Sequence, residues 1–117
     1  MGGPDVIFKI VTKTEWDEAE KTGVFKGAPL DLADGYIHFS TAQQVRETAA
    51  KHFLGQADLL LLSVSSTAVA GDLKYEPSRG GQLFPHLYAE LPLTAVVKVD
   101  DLPLGADGVH RFPDLND

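Results

Sequence analysis

The chain has 117 residues and is 44% hydrophobic, which suits one domain with a hydrophobic core and is too short for two ordinary domains. Its 17 acidic and 10 basic side chains give a formal net charge of -7, which disfavours an extended nucleic acid as partner. The chain has no cysteine, which excludes disulfides and thiolate chemistry. It shows no signal-peptide pattern and no apolar run of membrane-spanning length, so we expect a cytoplasmic protein without a membrane partner.

The N-terminal third predicts one strand, one helix and a loop. A β-branched run over 6–11 predicts a strand that is buried on at least one face. Good helix formers follow over 15–21, and Thr14 with Asp17 three residues later resembles a capping box at the start of that helix. The stretch 24–34 is rich in Gly, Pro and Asp, which is typical of a surface loop.

The rest of the chain predicts further strands around one more helix. The segment DGYIHFS, 34–40, reads as a strand, and Ser40 and Thr41 are each followed three residues later by a glutamine, as at the start of a capped helix. The run LLLL within 58–64 predicts a central strand that is buried on both faces. Further extended segments are expected at 73–76, 84–91 and 94–99.

Together these elements predict a single α+β domain over 1–117. It would contain about five or six short strands and two or three short helices. Strands and helices do not alternate regularly along the chain, which argues against a doubly wound parallel sheet.

Two of the predicted strands carry polar side chains on one face. In an extended chain, side chains two apart point the same way, so Tyr36, His38 and Ser40 would share a face opposite two apolar residues. The segment FPHLYAEL, 84–91, repeats this alternation and would align four side chains. These are Phe84, His86, Tyr88 and Glu90. We therefore expect the two strands to line one cleft.

Each candidate residue also has a structural interpretation. His38 would otherwise bond a backbone carbonyl at the edge of the core, and His86 would otherwise brace the loop at 79–82. Arg79 lies beside two glycines and either holds a phosphate or carboxylate or is a solvated loop arginine. Ser40 and Thr41 either cap the following helix or border an anion site at its N-terminus.

At these motifs the chain is identified as a member of the bacterial domain-of-unknown-function family 952. The motifs are IFK in the first strand, Trp16 in the first helix, DGYIHFS, SRGG and FPHLY, so the resemblance spans nearly the whole chain. It implies a fold similar to that of the ADP-ribosyltransferases, a split mixed or antiparallel sheet that grips NAD in a central cleft. The IHFS segment resembles the VHLS element of the RNA 2′-phosphotransferases of that superfamily.

The resemblance also implies roles for individual residues. His38 would contact a ribose or phosphate of a dinucleotide, and Glu90 or Glu76 would stabilise positive charge at ribose C1′. The implied catalytic residues are thus His38, Glu90 and Glu76. The implied ligand-binding residues are Tyr36, Ser40, Thr41, Arg79, His86 and Tyr88, with Tyr75 as a second candidate for stacking on nicotinamide. The chain departs from the superfamily at Lys9, where an HGT-like or RGT-like opening would stand, and it has no clear QxE or ExE pair.

Three functions follow as expectations. The first is binding of NAD, ADP-ribose or a related nucleotide, with ADP-ribosyl or phosphoryl transfer as the reaction. The second is a non-catalytic ligand-binding or protein-interaction module that keeps the fold. The third is a metal-dependent hydrolase that uses His38 and His86 with Glu76 or Glu90, although no HxH or HExxH spacing supports it and no metal is expected. The sequence leaves the oligomeric state open.

Overall fold

The fold consists of two three-stranded antiparallel sheets, one two-stranded pair and short helices. The computed structural model describes residues 5–115, without the side chain of Arg79. The α-helices within that range are Lys13–Thr22 (α1), Pro29–Asp34 (α2) and Val45–His52 (α3). The strands are Val6–Thr12 (β1), Val24–Phe25 (β2), Ile37–His38 (β3), Leu59–Ser65 (β4), Leu73–Pro77 (β5), Leu83–Leu87 (β6), Leu91–Pro92 (β7) and Val96–Asp101 (β8). Among the helices of this range, none has the length and apolar character needed to cross a bilayer.

The first sheet is formed by β1, β4 and β8, with β4 in the middle. The leucine run of β4 is buried along its length, as the sequence predicts. Alternation along β1 divides the core, because Ile7 and Val11 pack into one hydrophobic cluster while Phe8 and Ile10 pack into the other. β1 therefore lies between two apolar layers, so a polar side chain in the middle of this strand is buried.

The second sheet is formed by β3, β6 and β5, again antiparallel, and it joins the first at one point. Phe8 and Ser40 exchange two backbone hydrogen bonds of 2.8 and 2.9 Å, and the N–H of Phe39 donates to the carbonyl of Pro85 at 2.9 Å. β2 and β7 form a separate two-stranded pair. The predicted α+β class and the antiparallel, split arrangement of the sheets are confirmed.

Two local predictions in the first third are wrong. The helix α1 is capped by Thr12, not Thr14: the Thr12 hydroxyl accepts from the N–H of Glu15, whose carboxylate accepts in return from the N–H of Thr12. The predicted loop 24–34 contains β2 and α2. A short helix forms there because Pro29 fits its first turn and the side chain of Asp31 accepts from the N–H of Ala28.

Two predicted strands are shorter than expected. The segment 34–40 is regular only in β3, because Asp34 still belongs to α2 and Gly35 reverses the chain with φ of 88°. The segment 84–91 is extended only to Leu87, and residues 88–90 turn before β7.

The predicted caps of α3 are also wrong. Its N-cap is Gln44, and the hydroxyl of Ser40 instead pairs with that of Thr48 at 2.9 Å. The Thr41 N–H donates to the side chain of Gln44. The hydroxyl of Ser40 therefore bonds a residue within α3 instead of capping the helix, and the contact of Thr41 with Gln44 is made by its backbone N–H.

Candidate functional site

A cleft of about 540 Å³ is lined by residues of both three-stranded sheets and of α2. Its walls include residues from β1, α2, β3 and β6. The polar residues among them that matter here are Lys9, Asp31, Asp34, His38, Ser40 and His86. The volume lies within the range of small-molecule sites.

Asp31 is the centre of this cleft. It lies on α2, and its side chain is only 2% exposed. One carboxylate oxygen accepts from Nζ of Lys9 at 3.0 Å and from Nδ1 of His38 at 2.6 Å, and also from the backbone N–H of His38 at 3.1 Å. The other oxygen accepts from the N–H of Ala28 and lies 2.9 Å from Nζ of Lys9. Several donors therefore converge on one buried carboxylate.

The donors around Asp31 decide its charge. Burial raises the pKa of Asp31, but the hydrogen bond from His38 and the positive charge of Lys9 outweigh burial and hold the pKa at about 2. Burial also lowers the pKa of Lys9, and its contact with Asp31 opposes that shift. Asp31 is thus a permanent anion between a buried amine and an imidazole.

His38 bridges two carboxylates. Its Nδ1 faces Asp31, and its Nε2 lies 2.9 Å from a carboxylate oxygen of Asp34. A neutral imidazole has one N–H, so both contacts with ionised carboxylates are hydrogen bonds only in the doubly protonated ring. The ring is 27% exposed and lines the cleft. It is therefore an oriented proton carrier that a ligand can reach, rather than the carbonyl-bonded core histidine of the structural interpretation. We call Lys9, Asp31, Asp34 and His38 the Asp31 cluster.

A second group lies beside it on β5 and β6. His86 pairs with His38 across the sheet, and the two ring centroids are 5.5 Å apart. Nδ1 of His86 donates to Glu76 at 2.8 Å, and the hydroxyl of Tyr88 donates to the same oxygen at 2.7 Å. The Tyr36 ring stacks on His86 at 4.1 Å. We call Tyr36, Glu76, His86 and Tyr88 the Glu76 cluster.

Hydrogen bonding also shifts the pKa values of the Glu76 cluster. The hydrogen bonds from Tyr88 and then His86 lower the pKa of Glu76. The same bond to Glu76 raises the pKa of Tyr88 to about 12. The carboxylate is therefore ionised and the phenol protonated at neutral pH.

The structure brings some of the predicted site residues to the cleft and leaves others outside it. His38, Ser40 and His86 line it. Tyr36 and Glu76 contact His86, and Tyr88 donates a hydrogen bond to Glu76. Thr41, Tyr75 and Glu90 are not among its lining residues. Glu90 is exposed in the turn after β6, where it does not continue the face of His86.

The side chain of Arg79 lies outside the described part of the structure. Its backbone belongs to the turn Arg79–Gly81 between β5 and β6. The preceding residue, Ser78, lines the cleft. A ligand role for Arg79 stays a prediction.

Three residues of the Asp31 cluster were not predicted as site residues. The signal for Lys9 is a lysine inside an otherwise apolar strand, in the IFK motif. The signal for Asp31 is its place three residues after Ala28, with Pro29 between, which fits the first turn of a helix. Asp34 follows three residues after Asp31, so both carboxylates fall on one side of the helix.

Metal binding gains no support from this geometry. Within residues 5–115, no three His, Asp or Glu side chains are arranged to hold a metal ion. The carboxylates nearest the two histidines bond to the rings themselves. The described residues therefore provide no set of ligands for the metal ion of a metal-dependent hydrolase.

The fold and this cleft define a small α+β protein with two carboxylate-bound histidines in one pocket. The sequence model of a family described as a protein of unknown function, DUF952, matches residues 10–99, and the chain belongs to that family. The predicted family is confirmed; the likeness to ADP-ribosyltransferases stays a prediction. A search of curated proteins finds no match.

Solved structures of one relative agree with this fold. The crystal structure of protein CC0527 from Caulobacter crescentus is 51% identical in sequence, with a TM-score of 0.87 over 91% of this chain and 93% of that one. A double mutant of CC0527 gives the same values. The solution NMR structure of CC0527, also 51% identical, has a TM-score of 0.82 over 91% of each chain.

Proposed function

We propose that the cleft binds a ribose-bearing nucleotide, NAD or ADP-ribose, and that His38 carries a proton during transfer of the ribosyl group. The observation that carries the proposal is the His38 ring, which two carboxylates orient while 27% of its surface is exposed in the cleft. An oriented, reachable imidazole next to a permanent anion is the usual arrangement of an acid–base catalyst.

The charge of the cleft favours ribosyl over phosphoryl transfer. Asp31 and Asp34 line it and Glu76 lies behind His86, whereas Lys9 is the buried cation in contact with Asp31. Carboxylates stabilise positive charge that develops at ribose C1′ when the bond to the base breaks. The same carboxylates repel the negatively charged oxygens of a phosphoryl group during its transfer. Glu76 replaces the exposed Glu90 as the acidic residue of this proposal.

The Glu76 cluster offers an aromatic surface for a base. Tyr36 stacks on His86, and the Tyr36 and Tyr88 rings lie 5.1 Å apart. Planar bases bind well against such rings. In this proposal the diphosphate of the ligand is bound by Arg79 and by the backbone amides of the two glycines that follow it. The residue before Arg79, Ser78, lines the cleft.

The test is calorimetric titration of NAD and ADP-ribose, with chromatographic detection of released nicotinamide. Asp34→Asn removes one orienting contact of His38 at an exposed position, and Asp107→Asn is its control, because Asp107 is an exposed carboxylate that contacts Arg111. We expect wild type and D107N to bind equally and D34N to bind at least about tenfold more weakly, equivalent to about 1.4 kcal/mol. Absence of binding by wild type would overturn the proposal.

A non-catalytic binding module is the second candidate. It is favoured by the position of Glu90, since the turn after β6 leaves the expected catalytic glutamate exposed and outside the cleft. In that case NAD binds to wild type and is recovered intact after prolonged incubation. Release of nicotinamide by wild type but not by His38→Gln would exclude this candidate.

A further inference from the structure

Lys9 places a primary amine inside the cleft, and stability alone gives it little reason to be there. Its residue exposure is 8%, and it lies on β1 between the buried Ile7 and Val11 of the same face. A buried ion pair gains little over apolar side chains of similar size, because both charges lose their hydration. A chemical role for the amine would therefore explain its position better than stability does.

We propose that Lys9 is a nucleophile that forms an imine with a small aldehyde or ketone entering the cleft. The amine and His38 both contact the same oxygen of Asp31, at 3.0 and 2.6 Å. A carbonyl compound at Lys9 thus lies next to an imidazole that can move the protons of the reaction. This activity goes beyond nucleotide binding and does not depend on it.

The proposed reaction balances without a further reactant. The ammonium of Lys9 first gives a proton to water, and the free amine then attacks the carbonyl carbon. A C–N bond forms while the electron pair of the C=O bond moves to oxygen, which takes a proton from the imidazolium. The carbinolamine then loses its hydroxyl together with one proton of its nitrogen as water, which leaves a protonated imine. His38 regains a proton from water, so its imidazolium is restored.

Asp31 suits both ends of this reaction. Ammonium plus carbonyl becomes iminium plus water, so one positive charge faces the carboxylate before and after. The iminium nitrogen therefore forms the same ion pair with Asp31 that Nζ of Lys9 makes at 2.9 Å, and no buried charge is left uncompensated. Burial lowers the pKa of Lys9, which increases the fraction of free amine at neutral pH.

The test uses glycolaldehyde with cyanoborohydride, which reduces an imine to a stable secondary amine. Wild type is treated for a series of times and modified lysines are found by peptide mass mapping. We expect Lys9 to be modified faster than exposed lysines such as Lys13, although it is the more buried amine. Modification of the exposed lysines with Lys9 left intact would overturn the proposal.

Two variants sharpen the result. Lys9→Arg keeps a positive charge opposite Asp31 but has no amine that forms an imine, and Lys13→Arg makes the same change at an exposed lysine on α1. We expect K9R to lose the fast phase of modification and K13R to keep it. If K9R fails to fold, the site map of wild type still decides, because it needs no variant. Failure here with intact NAD binding would refute the imine and leave the nucleotide proposal standing.

Discussion

The two histidines of the cleft make similar bonds to carboxylates but expose opposite partners. In the Asp31 cluster the carboxylate is 2% exposed and the His38 ring 27%, over a bond of 2.6 Å. In the Glu76 cluster the His86 ring is 4% exposed and the carboxylate 34%, over a bond of 2.8 Å. In the Asp31 cluster the imidazole is the group that a ligand can reach, while in the Glu76 cluster it is the carboxylate. The same pair of residue types therefore serves two purposes according to which member faces the water.

The largest difference is expected on removing each carboxylate charge. Asp31→Asn leaves the buried amine of Lys9 without its anion, so we expect it to lower the free energy of unfolding by about 3–5 kcal/mol. Glu76→Gln is the comparison, and its loss should be much smaller because water screens the exposed carboxylate. Urea denaturation of both variants measures the difference. Equal losses would contradict the account of the two clusters.

Acid should act chiefly through Asp31. Its pKa lies at about 2 in the folded protein against an ordinary 3.8, so its contribution to stability is present above pH 4 and is lost as the pH falls towards 2. The shift corresponds to about 2 kcal/mol. We expect Glu76→Gln to keep most of this acid sensitivity and Asp31→Asn to lose that part of it. The check is urea unfolding of each protein at pH 6 and at pH 2.5, and an unchanged acid dependence in D31N would refute it.

The smallest effect concerns the phenol of Tyr88. Its bond to Glu76 raises the pKa of Tyr88 to about 12, so Tyr88 should ionise late in a titration of phenolate absorbance. Burial also raises the pKa of Tyr75. Tyr88→Phe should remove that late step, and Glu76→Gln should move it towards the ordinary value of about 10. Tyr75→Phe is the control that retains it. A single step near pH 10 in wild type would show that the bond does not form.

The pairing of the two histidines could be predicted from sequence, but the buried carboxylate that orients His38 could not. Alternation along DGYIHFS and FPHLY marks His38 and His86 as facing the same way, and the register of β3 with β6 sets them opposite each other. Asp31 lies in a stretch of Gly, Pro and Asp that reads as a loop. Its role depends on a short helix and on contacts 22 residues away at Lys9, which no local pattern encodes.

The strands were predicted better in position than in length. The leucine run of β4 is unambiguous because it is apolar on both faces. The end of β6 was missed because the alternation of FPHLYAEL continues through residues that turn. That error placed Glu90 in the site, while Glu76, on the neighbouring β5, is the glutamate that contacts His86.

Thermal-shift measurements on wild type and His38→Ala with NAD and ADP-ribose test whether His38 is part of a nucleotide site. A ligand at about 100 times its Kd stabilises the protein by about 2.7 kcal/mol, which raises the melting temperature of a domain of this size by several degrees. A nucleotide site built around His38 predicts this rise in wild type and its loss in H38A. An equal rise in both proteins, or no rise in wild type, would contradict a nucleotide site built around His38.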